Sequence, residues 1–383
     1  MSMQLDVKYK PRVAVDARPL AYGLTGNSRY LFEALKLLIR KDSHFEYYLY
    51  SNKEIHPMFM DFIKQNEVYV APIKNVTGVL WLNFILPYMM YNDRIDIFWG
   101  TLQLLPFIKL RIPEFVNYHD LNFRSAPETM TKANYIQHKL LSPRSLRNAD
   151  LVFCLSQNTQ REIAEFKPEY TKKLKVIYPG VSKKVITNNT LPFSGKYLFT
   201  IGTLEPRKNI ATVIEAYLLI KKDFPDFPYK LVIASRRGWG QQELTQKLIS
   251  GELEKDGVVF VESPSDDLLN TLYQKCSAFL FPSIHEGFGL PLLEALLEQK
   301  VCIASDIPVF REILDLDSDI LANPRVTEEW KNAILKITEQ DPIKRKRKWN
   351  EKQWTWLATA SQIEESFLIE WHKRLSSSVN NAV

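Results

Sequence analysis

AFLFPSIHEGFGLPLLEAL, residues 278–296, contains a strand signal, a glycine loop and a helix signal in immediate succession. The opening AFLFPS is a short apolar, aromatic-rich run closed by a turn residue, which reads as a buried strand. Pro291 is well placed as the first residue of a helix, where its fixed φ and missing N–H do no harm. Gly287 and Gly289 let the backbone between strand and helix approach a ligand without side chains in the way. Glu286 then lies in the loop and Glu294 in the first turn of the helix, so both can face one volume. Two carboxylates there could complement the helix dipole. They could equally accept hydrogen bonds from sugar diols, since each ionised carboxylate has two acceptor oxygens. The residue types alone leave both readings open.

The same strand, loop and helix grammar recurs along the chain. Candidate strands are RVAVDA (12–17), FEYYLYS (45–51), IDIFWG (95–100), FVNYHD (115–120), LVFCLS (151–156) and KVIYPG (175–180). A second set follows: YLFTIG (197–202), KLVIAS (230–235), VVFVES (258–263), AFLFPS (278–283) and VCIAS (301–305). Amphipathic helical patterns such as NIATVIEAYLLIKK lie between them, and this alternation predicts an α/β fold of doubly wound parallel sheets. With 383 residues the chain exceeds what one core usually sustains, so two domains with a cleft between them are expected. The polar, turn-rich stretch 182–195 reads as the linker. The last helical segment, roughly 350–375, carries Trp349, Trp354, Trp356, Phe367 and Trp371, too many aromatics for a free tail.

Composition sets the class. At 45% hydrophobic and 25% charged residues the chain reads as an ordinary globular protein. The N-terminus lacks the apolar run of a signal peptide, and no stretch is long and uncharged enough to span a bilayer, so a cytoplasmic protein is expected. Cys154, Cys276 and Cys302 lie far apart without zinc spacing, which predicts buried thiols, no disulfide and no structural metal. Residues 1–190 hold 26 Lys+Arg against 17 Asp+Glu, or +9, while the remainder holds 24 against 27, or −3. A basic first half suits an anionic membrane surface or a phosphate-bearing partner, or is simply solvated surface. The apolar segment GVLWLNFILPYMMY (78–91), interrupted by Pro87, is core or a membrane-facing element. KRKRK (344–348) falls in a helical pattern and reads as a solvated face, so no nucleic-acid partner is expected. Neither G-x-G-x-x-G nor the G-K-[ST] of a P-loop occurs in the loops that follow the strands, which disfavours nicotinamide and NTPase chemistry.

Doubly wound sheets bind ligands beyond the carboxyl ends of their strands, so the residues following each strand are the candidates. After the first strand, Gly23 and Gly26 flex a loop whose Asn27 or Ser28 can cap the next helix, an end that attracts phosphate. After FVNYHD, His119 could hydrogen-bond a substrate hydroxyl, stabilise developing charge, or act as a structural histidine. After YLFTIG, Arg207 and Lys208 offer a diphosphate a bidentate partner and a point charge, unless they are only a surface pair.

Together these motifs have a familiar form. HEGFGLPLLEAL resembles the two-glutamate signature of the family-four retaining glycosyltransferases of GT-B fold. DARPLAYGLTGNSRY resembles that family's N-terminal loop, YHDLNFRSAPE its histidine loop and GTLEPRKN its diphosphate-binding segment. The subgroup is similar to bacterial mannosyltransferases of surface-polysaccharide assembly. The resemblance implies two Rossmann-like parallel-sheet domains facing across a cleft: an acceptor-binding domain over 1–185, with a C-terminal helix at about 360–383 packing back onto it, and a nucleotide-sugar-binding domain over 195–360. It implies a catalytic set of His119, Arg207, Lys208 and Glu286. Glu286 would hold the transferred sugar and Glu294 the ribose, with Gly202, Thr203, Arg207 and Lys208 at the diphosphate. Gly287 and the N–H groups of Phe288, Gly289 and Leu290 would line the sugar and phosphate, Ser235 and Arg236 the base, and Gly26 the phosphate path.

Transfer would proceed with retention, without cofactor or metal. No Asp-x-Asp pair occurs in these motifs, the spacings Asp315–Asp317–Asp319 falling later in a turn-like segment. The implied partners are a nucleotide-sugar donor, with GDP-mannose foremost, and a glycan or lipid-linked acceptor, reached with peripheral membrane contact through the basic N-terminal domain. UDP- or dTDP-sugar donors, and a non-catalytic nucleotide-sugar binder, are the rival readings. Departures fall at Ser28 and Ser235, where the family often has glycine.

Overall fold

The computed structural model describes residues 9–73, 76–183, 190–236, 238, 240–339 and 353–380. The KRKRK run and Trp349 lie outside them, as does part of the expected linker. The chain divides into two compact units. One comprises Met1–Leu121, Lys132–Gly180 and Lys352–Val383; the other comprises Asn122–Thr131 and Val181–Glu351.

The first unit is built on a seven-stranded sheet of β1 (Arg12–Asp16), β2 (Glu46–Tyr50), β3 (Tyr69–Val70), β4 (Ile97–Gly100), β5 (Glu114–Tyr118), β6 (Leu151–Cys154) and β7 (Leu174–Val176). Their order is β3-β2-β1-β4-β5-β6-β7 and every pairing is parallel. The second unit holds β8 (Lys196–Ile201), β9 (Tyr229–Ser235), β10 (Val258–Glu262), β11 (Ala278–Phe281), β12 (Cys302–Ser305) and β13 (Ile320–Ala322), in the order β10-β9-β8-β11-β12-β13. These pairings are parallel too. Central strands such as Ile97–Gly100 and Glu114–Tyr118 are buried throughout, as expected of parallel strands covered on both faces. The edge strands β3 and β13 escape sequence reading because runs of two or three residues are too short to carry a periodicity.

The aromatic C-terminal segment earns its place by burial. The chain rejoins the first unit at about 352, ahead of 360, because Trp354 and Trp356 are already buried before the helix Trp356–Asn380 is under way. Gly180 admits this crossing, since a Cβ there would overlap the backbone of Trp356. Phe367 then inserts among Phe45, Trp99, Phe115 and Phe153, with ring centroids 4.7–6.3 Å away. Truncating such a buried phenylalanine costs about 3–5 kcal/mol. Glu364 anchors the helix from the side by accepting a 2.8 Å bond from Arg40. Cys154, Cys276 and Cys302 are buried thiols. The helix Gly26–Leu38 is capped not by Asn27 or Ser28 but by Thr25, whose hydroxyl accepts from Ser28 N while Ser28 Oγ accepts from Thr25 N. This reciprocal capping box satisfies two backbone donors that an empty helix end would leave exposed.

Candidate functional site

In the second sheet the strand order reverses between β8 and β11, so the loops that follow these neighbours run in opposite directions and leave a crevice beyond their carboxyl ends. The loop after β8 carries Arg207 and Lys208, and the loop after β11 carries Glu286. Two backbone-directed ties hold the loops together: Ile284 N donates to Arg207 O at 2.9 Å, and Asn209 Nδ2 donates to Pro282 O at 3.2 Å. Asn209 itself adopts the left-handed conformation, which turns the chain sharply after the two cations.

With Glu205, which lies in the same loop as the two cations, these charges form one cluster of four. Arg207 Nη1 donates to Glu286 Oε2 at 2.9 Å and to the carbonyl of His285 at 3.1 Å, while Nη2 reaches Glu205 Oε1 at 3.0 Å. Lys208 Nζ donates to Glu286 Oε1 at 2.5 Å and lies over the Phe281 ring. Its stem passes Gly202, where a Cβ would sit only 3.3 Å from Lys208 Cγ. Burial pushes the Glu286 carboxyl up, but Lys208 and Arg207 more than offset it and hold the group at about 2. Lys208 is itself pushed down by burial and by Arg207, against the pull of Glu286. Two cations, Arg207 and Lys208, are thus balanced by two carboxylates, Glu205 and Glu286, and Lys208 pairs directly with Glu286, its ammonium having three donors to share with an incoming anion. Glu286 has both oxygens engaged, yet each retains acceptor capacity toward a ligand.

The helix that follows begins at Leu290. Gly289, its N-cap, has φ +107° and a Cβ there would meet Phe310 at 2.9 Å, so this position demands glycine on two counts. Phe288 is buried beside it. Glu294 lies just past the first turn of the helix rather than in it, because the helix starts at Leu290, one residue before Pro291. The two glutamates therefore part company: Glu294 lines a shallow depression with Asn270, Tyr273, Leu297 and Glu298, and Glu286 is not among the lining residues. Asn270 Oδ1 is buried without a hydrogen-bond partner there. Ser235 Oγ donates to the carbonyl of Gly202 and lies 3.0 Å from that of Arg236, and Leu204 N donates to Arg236 O, so Ser235 stitches the ends of β8 and β9 together. Thr203 is half-buried and Arg236 exposed at this seam.

In the first unit, half-buried His119 follows β5 and its Nε2 lies 2.8 Å from the carbonyl of Thr101, which follows β4. A carbonyl only accepts, so Nε2 carries the proton and Nδ1 is the acceptor. Burial lowers the His119 pKa, which favours the neutral ring and the hydroxyl-binding reading over the cationic one. Tyr30 packs edge-on to the ring at 5.9 Å. Gly26 opens the helix and a Cβ there would meet nothing within 4 Å, so the protein's own packing does not require glycine. Sequence reading missed Asp16 and Arg18, which form a buried bidentate pair at 2.8 and 2.7 Å immediately beyond β1. Opposite charges two residues apart at a strand end were the available signal.

Among the described residues no three His, Cys, Asp or Glu side chains gather as metal ligands. Asp319 instead accepts from Cys302 N at 2.8 Å and Asp315 N at 3.1 Å, a structural role. No described helix is long and apolar enough to cross a membrane.

Comparison with known proteins bears on these observations. Residues 183–354 match the family described as Glycosyl transferases group 1. The O-antigen chain mannosyltransferase RfbU of Salmonella typhimurium is 31% identical over 224 residues, 58% of this chain and 60% of that protein, so less than two thirds of its length is spanned. O-antigen chain mannosyltransferase B of Escherichia coli is 26% identical over 275 residues, covering 69% of this chain and 68% of that protein. Anabaena Alr3699/HepE, solved in complex with UDP-glucose, superposes with a TM-score of 0.63 over 97% of this chain and 100% of its own, at 16% identity. Residues 183–354 are accordingly a glycosyl transferases group 1 domain, carried in a chain whose two parallel Rossmann-like sheets have the GT-B fold.

Proposed function

We propose that the protein is a retaining, metal-independent glycosyltransferase that moves mannose from GDP-mannose to a glycan or lipid-linked acceptor in surface-polysaccharide assembly. The observation that carries the reading is the buried Arg207–Lys208–Glu286 cluster at the switch point of the second sheet. Departure of a nucleoside diphosphate develops charge on its oxygens, and preorganised cations that meet such charge usually supply the largest catalytic term. Lys208, whose buried ammonium pairs directly with Glu286 and has three donors, is the cation best poised to do so.

In this reading Arg207 and Lys208 receive the diphosphate, and Glu286 keeps both cations aimed while accepting from a sugar hydroxyl. Glu294 accepts from the ribose, and His119 Nδ1 accepts from a hydroxyl of the transferred sugar. Gly26 leaves room for the phosphate. The mannosyl preference is supported by the names of the relatives from Salmonella and Escherichia coli. A lipid-linked acceptor would require the chain to work at a membrane surface.

The test is a thermal-shift and turnover panel of GDP, UDP, dTDP and their sugars. Stabilisation by GDP and GDP-mannose, with mannosyl transfer insensitive to chelators, is the expected result. A preference for a UDP-sugar would overturn the donor assignment, and nucleotide-sugar binding without transfer to any glycan would overturn the activity.

A further inference from the structure

The segment 78–92 forms a short helix, Gly78–Leu80, one π-helical turn, Trp81–Ile85, and a further helix, Leu86–Asn92. Trp81, Leu82, Leu86 and Met90 are buried in the first unit. The opposite face should then be polar, as on any surface helix. It is not: Leu80, Phe84, Tyr88 and Tyr91 recur along it at helical spacing, and Phe84, Tyr88 and Tyr91 are 66%, 67% and 83% exposed. A helix apolar on both faces has its second face toward something other than water.

The neighbours extend the patch. Asn83 Oδ1 accepts from Phe107 N at 2.7 Å, and the Arg144 guanidinium lies 5.2 Å from the Phe107 ring centroid. Phe107 thus joins this segment to the helix Lys132–Asn148. Beside these contacts stand Ile108, 79% exposed, and the exposed pair Ile136 and Leu140, the latter one turn before Arg144. Charge is one-signed here. Segments 78–92, 101–112 and 132–148 contain six Lys and Arg residues and no Asp or Glu. Among the described residues, Lys109 alone of the six pairs with carboxylates, Asp150 at 2.5 Å and Glu114 at 3.4 Å.

We propose that this face is a peripheral docking surface for an anionic lipid bilayer. Phe84, Tyr88 and Ile108 enter the headgroup boundary, where amphipathic tyrosine rings are at home. Arg111, Lys132, Lys139 and Arg144 meet anionic headgroups, and their long stems let the charges reach outward from an apolar bed. The all-cationic fringe selects a lipid surface over a second copy of the chain, which would bring the same sign of charge to the contact.

The inference rests on the proposed function only for why a lipid surface would be useful. Vesicle binding is therefore read on the full chain with neither donor nor acceptor, so failure of one leaves the other standing. Co-sedimentation should show binding to phosphatidylcholine–phosphatidylglycerol vesicles, weakening as salt is raised, and little binding to pure phosphatidylcholine. Phe84→Ser with Tyr88→Ser, and separately Lys139→Glu with Arg144→Glu, should each weaken binding about tenfold or more while leaving the unfolding midpoint in place. Absence of vesicle binding, equal binding to neutral vesicles, or indifference to both variant pairs would overturn the proposal. So would a dimer in sedimentation that the Phe84 and Tyr88 substitutions dissociate.

Discussion

Lys208→Ala removes the cation that sits 2.5 Å from Glu286 and leaves Arg207 at 2.9 Å as that carboxylate's partner. The folded state should survive, because Glu286 is not stranded; the cost stays below the 3–5 kcal/mol of an uncompensated buried charge. Turnover should not survive in proportion. Loss of one preorganised donor to developing charge costs about 2.7–4 kcal/mol, or roughly 100- to 1,000-fold in kcat. A contact made chiefly in the transition state lowers kcat and kcat/KM alike, whereas a ground-state anchor raises KM alone. Lys208→Arg should recover little, since a planar fork replaces a compact ammonium in a buried site. The assay is initial-rate nucleotide release from GDP-mannose at saturating donor, with the thermal midpoint of each variant as the fold control. A folded Lys208→Ala protein with kcat within about tenfold of wild type would refute the electrostatic role.

Three further expectations follow from the geometry. Gly26→Ala meets no atom within 4 Å and replaces a helical glycine, so stability should hold or rise by up to about 1 kcal/mol, while transfer falls if the space is reserved for substrate; unchanged kinetics would remove Gly26 from the site. His119 has a lowered pKa, so its neutral form persists at and above the usual histidine range; kcat/KM should be flat there and decline only as the pH falls below it, and a profile that rises on acidification would contradict the acceptor role. Glu114, buried beside Lys109, is pushed up to about 7 by burial. The folded state then holds a proton that the unfolded chain releases, so stability drops as pH rises from about 4.5 to about 7. Glu114→Gln should gain on wild type across that window, by at most on the order of 3 kcal/mol, as read from urea midpoints at pH 5 and pH 8; a pH-independent difference would rule this out.

Much of the chain was legible because parallel strands buried on both faces read as apolar runs, and eleven of them stand between clear turn and helix signals. The chemistry-bearing residue types were legible too. His119, Arg207, Lys208 and Glu286 all follow strands, and a strand's carboxyl end is where doubly wound sheets bind. Local sequence could not tell that β8 and β11 would be neighbours. Pairing across some eighty residues is a property of sheet order, and it alone turned Arg207, Lys208 and Glu286 into one coupled cluster. The same holds for the split between Glu286 and Glu294, since only the true start of the helix at Leu290 sends one carboxylate to the cations and the other to the Asn270–Tyr273 depression. Composition also left segment 78–91 open between core and surface, because an apolar run carries no record of which face the rest of the fold will cover. Packing in three dimensions covered Trp81, Leu82, Leu86 and Met90 and left Phe84 and Tyr88 outside.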